Sequence, residues 1–249
     1  MDTVRSDAVV VAGCLRKLLA FACLLLCAWT FAAPAPALRF KRMTALATDD
    51  LSVLATLQDR QGFIWMASLN GGLYRYDGYQ AVRFVNDPQD KTSLPSDRTT
   101  ALFEDKAGRI WVATRDGLAR FNPGNGTFTR FLPLPAPGSP RMIKNIISDG
   151  ADGMWLATWA GLQHFDPANG KLVQYQHDDA VPDSIGSNSL DALALDAKGG
   201  LWIGTWPGGL DYLAPGSKSF QHFRVDSAHA PNPEVNLVYA LHMDARNRL

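Results

Sequence analysis

The chain has 249 residues, 24 basic against 24 acidic side chains and so no net charge, with 47% hydrophobic and 10% aromatic residues. It offers no basic run to follow a phosphate backbone and no acidic tail, so a role on nucleic acid is set aside. All three cysteines, Cys14, Cys23 and Cys27, precede Leu38, so a mature chain beginning there has no disulfide, thiolate nucleophile or cysteine metal site.

Residues 1–37 read as a targeting segment. Arg16 and Lys17 precede an apolar stretch from Leu18 to Phe31, and Ala35, Pro36 and Ala37 supply the small residues of a cleavage site. The stretch holds about 14 apolar residues, short of the roughly 20 that span a bilayer. A cleaved signal peptide with Leu38 as first mature residue is expected. The alternative is an uncleaved anchor extended backward through Val9 to Ala12. Neither Cys23 nor Cys27 follows a good lipobox.

Beyond Leu38 a motif returns every 44 to 47 residues, marked by Trp65, Trp111, Trp155 and Trp202, each followed by a Gly-Leu pair and an aromatic residue. A repeat of this length is one supersecondary unit that buries its apolar face only by stacking on neighbours. Within the first copy, Val53 to Gln58 alternates in polarity and ends in the turn Asp59-Arg60-Gln61-Gly62. Phe63 to Ser68 follows, then Asn70-Gly71-Gly72, Leu73 to Tyr76, Asp77-Gly78, and a last strand around Val82 to Phe84. Asn-Gly and Asp-Gly are strong hairpin signals. Four short antiparallel strands per repeat make a propeller blade.

The predicted fold class is therefore all-β, with four complete blades at about 51–84, 99–131, 143–175 and 190–223 and a partial fifth at 237–249. The next Trp of the series would fall one residue beyond Leu249, so the chain reads as a fragment and the ring as truncated. At the other end, Phe40 stands 17 residues before Leu57, much as Phe84 and Tyr175 precede Leu102 and Leu193. Leu38 to Arg42 is accordingly expected to be a starting outer strand that closes the last blade of a ring. An open arc of blades with two exposed apolar edges is the predicted result.

The regular residues have structural roles to play. Trp65, Trp111, Trp155 and Trp202 are expected to form the blade core between neighbouring sheets, where a large aromatic buries much area. The Asp of each turn, Asp59, Asp105, Asp149 and Asp196, closes an Asx turn, and the loops lack the clustered carboxylates of a calcium site. The histidines show no metal-ligand spacing, and no serine lies in a nucleophile elbow. Neither a cofactor nor a metal, nor a catalytic residue, is assigned.

Strand parity puts the turns between second and third strands on the same face as the long connections between blades. Binding residues concentrate on loops held by a rigid scaffold. Trp159 and Trp206 each follow a regular Trp by four residues and sit at such a turn tip. They are the candidate ligand contacts, able to stack on sugar rings, with Arg115, Asp116 and Asn70 as polar neighbours. The competing reading has both tryptophans capping the blade tops or packing on the long loops.

The strings GFIWMASLNGGLYRYDG, GRIWVATRDGLARFNPGNGTF, GMWLATWAGLQHFDPANGKL and GLWIGTWPGGLDYLAPGSKSF resemble the two-component regulator propeller repeat. That repeat occurs in periplasmic sensor regions of bacterial hybrid histidine kinases and related GGDEF diguanylate cyclases. The resemblance covers about residues 38–249. It implies a seven-bladed ring, roughly 330 residues at this period, often doubled, then an immunoglobulin-like connector, a membrane helix and a cytoplasmic output domain. The implied function is extracytoplasmic sensing of a small molecule or oligosaccharide for a phosphorelay or cyclic-di-GMP output, by an inner-membrane receptor acting as a homodimer. The remaining blades and the output domain would be partners within the same longer chain. Two alternatives stay open: an enzyme resembling the streptogramin lyases, whose catalysis uses histidine on one face, and a secreted interaction scaffold.

Overall fold

A computed structural model describes residues 51–131, 142–225 and 236–249. The predicted signal segment 1–37 and the predicted closing strand Leu38 to Arg42 lie outside the described residues.

Sixteen strands form four antiparallel sheets, each of four strands in sequence order. The first sheet is β1 (Val53–Gln58), β2 (Ile64–Ser68), β3 (Leu73–Tyr76) and β4 (Ala81–Phe84). The second is β5 (Thr99–Glu104), β6 (Ile110–Thr114), β7 (Gly117–Asn122) and β8 (Thr127–Phe131). The third is β9 (Ile143–Ser148), β10 (Met154–Thr158), β11 (Gly161–Asp166) and β12 (Lys171–Tyr175). The fourth is β13 (Leu190–Leu195), β14 (Leu201–Thr205), β15 (Gly209–Leu213) and β16 (Phe220–Phe223). Strands β1, β5, β9 and β13 pack against one another in succession, as the innermost strands of adjacent propeller blades do. The four blades form an arc that does not close into a ring, and Val53 and Leu54 of β1 are exposed at its first edge.

The hairpin between second and third strands is built the same way four times. Gly72, Gly117, Gly161 and Gly209 all have positive φ, which a side chain adopts only at a cost. A Cβ on Gly161 would also run into the carbonyl oxygen of Tyr175 in the neighbouring strand. The hydroxyls of Ser68, Thr114, Thr158 and Thr205, all buried, donate to the carbonyls of these same glycines at 2.7–2.9 Å. Buried hydroxyls without such partners would be expensive, so the latch and the glycine belong together.

At the opposite end of the blade the first hairpin is closed by an aspartate. Asp59 Oδ1 accepts from the backbone N–H groups of Gln61 and Phe63, both at 3.0 Å, and Asp59 Oδ2 accepts from Trp65 Nε1 at 2.7 Å. Asp105 repeats the arrangement with Ala107, Arg109 and, at 2.8 Å, the Trp111 indole. Held this way, each Trp fills the gap to the following blade. Trp65 packs with Ile110, Phe121 and Phe128 of the second blade, and Trp111 with Ile143, Met154 and Phe165 of the third. The rings meet edge to face: Trp65–Phe121 at 4.9 Å and Trp111–Phe165 at 5.8 Å between centroids.

Trp155 and Trp202 differ. They are only half-buried, and the aspartates of their blades are engaged elsewhere. His164 Nε2 lies 2.8 Å from Asp149 Oδ2, and the Tyr212 hydroxyl donates to Asp196 Oδ2 at 3.3 Å. His164 and Tyr212 are the cross-strand partners of Trp155 and Trp202, in the position that Arg75 and Arg120 hold opposite Trp65 and Trp111. A second position changes with them. Four residues after the aspartate stand Phe63 and Arg109 in the first two blades, but Gly153 and Gly200 in the others. A Cβ on Gly200 would collide with the Tyr212 ring, and one on Gly153 with Asp149 and His164. Glycine opens the path by which the ring reaches the carboxylate.

The inner strand of the partial fifth blade expected at 237–249 does not form: those residues carry no strand. It has no antiparallel partner among the described residues, and a lone strand leaves its backbone groups unpaired. The turn beyond it forms nevertheless, with Asp244 Oδ1 accepting from the N–H groups of Arg246 and Arg248.

Two outcomes follow for stability. Trp111→Ala removes a fully buried indole and is expected to cost about 3–5 kcal/mol, read as a lower denaturant midpoint. Burial pushes the Asp105 carboxyl upward, but hydrogen bonds from the Trp111 indole and the Arg109 backbone and guanidinium outweigh it, leaving its pKa below the ordinary value. The stability this supplies is complete above the unfolded value of about 3.9 and is withdrawn as the pH falls through the lower, folded one. Asp105→Asn is expected to cost about 1–3 kcal/mol at pH 7. The gap to the native chain should narrow in urea titrations at about pH 3, below the unfolded value.

Candidate functional site

The face carrying the long connections is organised by one repeated backbone bond. Leu69, Arg115, Trp159 and Trp206 occupy the same position, the first residue after the second strand of each blade. Their N–H groups donate to the carbonyls of Ser52, Arg98, Met142 and Ser189 at 2.8–3.3 Å. Each of those carbonyls immediately precedes an inner strand. Every tip is thus pinned by its backbone beside the innermost strand, and its side chain is left free to vary.

What the side chains do differs from blade to blade. Trp159 and Trp206 are 37% and 48% exposed, and Arg115, Asp116 and Asn70 are also exposed. The five predicted contacts share one face, on four hairpins: Asn70 on the first blade, Arg115 and Asp116 on the second, one Trp on each of the others. Ala160, beside Trp159, is buried instead. Trp206 is held further by Ser187, whose hydroxyl donates to its carbonyl at 2.7 Å.

Lys144 joins this group although its position in the sequence does not single it out. Its ammonium lies 5.8 Å from the centre of the Trp159 ring and 3.3 Å from Asp191 on the next inner strand. Lys144 and Asp191 are each the second residue of their inner strand, a coincidence of register visible only when the copies are aligned.

Two of the long connections lie wholly among the described residues, and both are folded. Asn86 to Arg98 and His177 to Ser189 adopt the same plan: the N–H of Asp87 or Asp178 donates to the hydroxyl of Ser93 or Ser184, and Leu94 or Ile185 is fully buried. Each connection leans on the last strand of the following blade, through Phe128 N–H to the Thr92 carbonyl and Phe220 N–H to the Asp183 carbonyl. In the second blade Arg130 completes the brace by donating to the Ser93 and Leu94 carbonyls. In the fourth, buried Asp211 accepts from the Gly186 N–H and lies 2.6 Å from His222.

Three of the histidines are therefore engaged in structural pairs: His164 with Asp149, His222 with Asp211, and His177 with the Ile185 carbonyl. His229 lies outside the described residues. Among the described residues, no three His, Cys, Asp or Glu side chains gather as metal ligands would.

The opposite face, formed by the aspartate turns, holds two clefts. One of about 440 Å³ opens between the first two blades beside Arg60, Phe63 and Arg75, and one of about 290 Å³ between the second and third beside Lys106, Asp152 and Pro167. None of the contacts predicted from the sequence lies on this face. The available signal was the basic residue directly after the aspartate, Arg60 and Lys106, whose side chains reach across the gap to carbonyls of the following blade.

Residues 93–116, from the end of the first connection through the Asp105 turn and Trp111 to the tip at Asp116, match the family model described as the two component regulator propeller. The matched window contains the inner strand, the aspartate turn, the Trp and the pinned tip of the second blade. Among solved structures the chain is similar to the extracellular domain of a hybrid two component system of B. thetaiotaomicron, at 26% identity and a TM-score of 0.65 over 78% of this chain. A second B. thetaiotaomicron extracellular domain is 21% identical with a TM-score of 0.53 over 80%. The chain spans 26% and 37% of the lengths of these two structures. Virginiamycin B lyase from Staphylococcus aureus shares the fold at 14% identity, with a TM-score of 0.58, 77% of this chain and 60% of the lyase being covered. No curated protein sequence matches the chain.

Proposed function

We propose that this regulator propeller is the ligand-sensing part of an extracytoplasmic receptor, with its ligand received on the face of the pinned tips. One observation carries the reading: four equivalent tips are fixed by the same backbone bond, yet two of them present exposed tryptophans, Trp159 and Trp206. An exposed aromatic on a rigid mount costs a soluble domain something and suits stacking on an apolar ring face. The chemistry of the group, indoles beside Arg115, Asp116, Asn70 and Lys144, suits an oligosaccharide or another polar small molecule with flat faces. The similarity to extracellular domains of two-component systems supports the setting.

In that setting the chain works in the periplasm, exported by its N-terminal segment, as part of an inner-membrane homodimer whose output domain is a histidine kinase or a GGDEF cyclase. A rigid propeller transmits by shifting against its dimer partner or connector, since a ligand biases only states that it binds differently. A lyase-like enzyme receives less support, because His164, His177 and His222 are spent on structural pairs.

Trp159→Ala and Trp206→Ala, made in the full receptor, are expected to weaken binding of the best oligosaccharide in a screened panel by at least about tenfold and to blunt the induced output. Stability should move by less than about 0.5 kcal/mol, as for other exposed positions. Unchanged binding and signalling in both variants would remove the tips from the ligand site. The gene sequence beyond Leu249 then separates the kinase from the cyclase.

A further inference from the structure

We infer that the cleft between the first two blades is a second binding site, for a small carboxylate carried on a flat ring, with Arg75 as its anion contact. The site lies on the face of the aspartate turns, away from the tips, and does not rest on the sensing role.

Charge distinguishes one side chain in this cleft. Acidic groups at the cleft are Asp59 and Glu104, and both are engaged. Asp59 holds its own turn and the Trp65 indole, while Glu104 accepts from the Arg60 N–H and sits 3.6 Å from the Arg60 guanidinium. Two of the cleft's cations are engaged as well. Arg60 crosses to the second blade and donates to the carbonyls of Lys106 and Asp105 at 2.7 and 3.1 Å, and Arg109 is paired with Asp105. Arg75 remains. Its guanidinium stacks over Phe63, Trp65 and Phe121 at 4.8, 5.7 and 5.8 Å from the ring centres. Among the described residues no carboxylate or carbonyl accepts from it.

Stacking uses the face of a guanidinium and leaves its N–H edges free. Those edges match the two oxygens of a carboxylate, which Arg binds bidentately. The flanking rings fix the side chain before a ligand arrives, so little rotamer freedom is lost on binding. The other walls are apolar, including Ile110, Phe121 and Pro123, and the volume of about 440 Å³ is that of a small-molecule pocket. An anion alone would leave those walls wet; a ring behind the carboxylate covers them.

Comparison with the other blades isolates Arg75. The same cross-strand seat holds Arg120, His164 and Tyr212 in turn. His164 and Tyr212 are tied to aspartates, and Arg120 stacks on Trp111 and Phe131 but does not line the cleft between the second and third blades.

Calorimetric titration of the full chain with benzoate, its neutral isostere benzamide, and acetate tests the site. Benzoate is expected to bind at least about tenfold more tightly than either of the others, since only it supplies both the charge and the ring. Arg75→Gln should abolish benzoate binding, Arg75→Lys should weaken it by keeping charge without the paired edges, and Arg120→Gln should leave it unchanged. Circular dichroism checks that each variant is folded; if Arg75→Gln is not, Arg75→Lys decides. No benzoate binding, equal binding of benzamide, or a folded Arg75 variant that binds as the native chain does would each overturn the assignment.

Discussion

A carboxylate placed at the first turn of the blade organises most of what surrounds it. Asp105 collects two backbone N–H groups, an indole N–H and a guanidinium, and in doing so closes the hairpin and aims Trp111 into the gap toward the next blade. The charged acceptor makes each of these bonds stronger than a neutral one would be. Blade-to-blade packing then follows from the position of the ring. Because one group ties the local turn to the non-local interface, the repeat is self-contained in sequence and still cohesive as an array.

The two ends of the blade divide the work. At the aspartate end, side chains are committed to one another, and what varies is the partner chosen by the carboxylate. At the tip end, the buried Ser or Thr latch holds the glycine, and the residue after the latch is committed only through the bond from its N–H to the carbonyl before the inner strand. Side chains there are released from structural duty, which is how Leu69, Arg115, Trp159 and Trp206 can hold one position with unlike chemistry. A propeller of this design can change the chemistry of its tips without altering its core.

Strands and turns were legible in the sequence because each has a local cause: period-two alternation, a glycine where φ must be positive, an aspartate opening a turn. The exposure of Trp159 and Trp206 was legible from their displacement by four residues from the regular Trp. Less legible was the difference between Trp111 and Trp155, because it depends on the cross-strand residue, Arg120 or His164, which only register brings alongside. The brace of Arg130 on the Ser93 connection and the contact of Lys144 with Trp159 join residues of separate elements, and the cleft beside Arg75 is a property of two blades together. None of these has a signature within a single repeat.

The exchange of partners at the aspartate also constrains how the blades can change. Converting a blade of the Trp202 kind into one of the Trp111 kind requires a side chain at Gly200 and an arginine at Tyr212. Either step taken alone passes through a strained chain, since a Cβ at Gly200 meets the tyrosine ring, and losing the tyrosine first leaves Asp196 without its Tyr212 hydroxyl bond. The two blade types therefore differ at positions that have to change together.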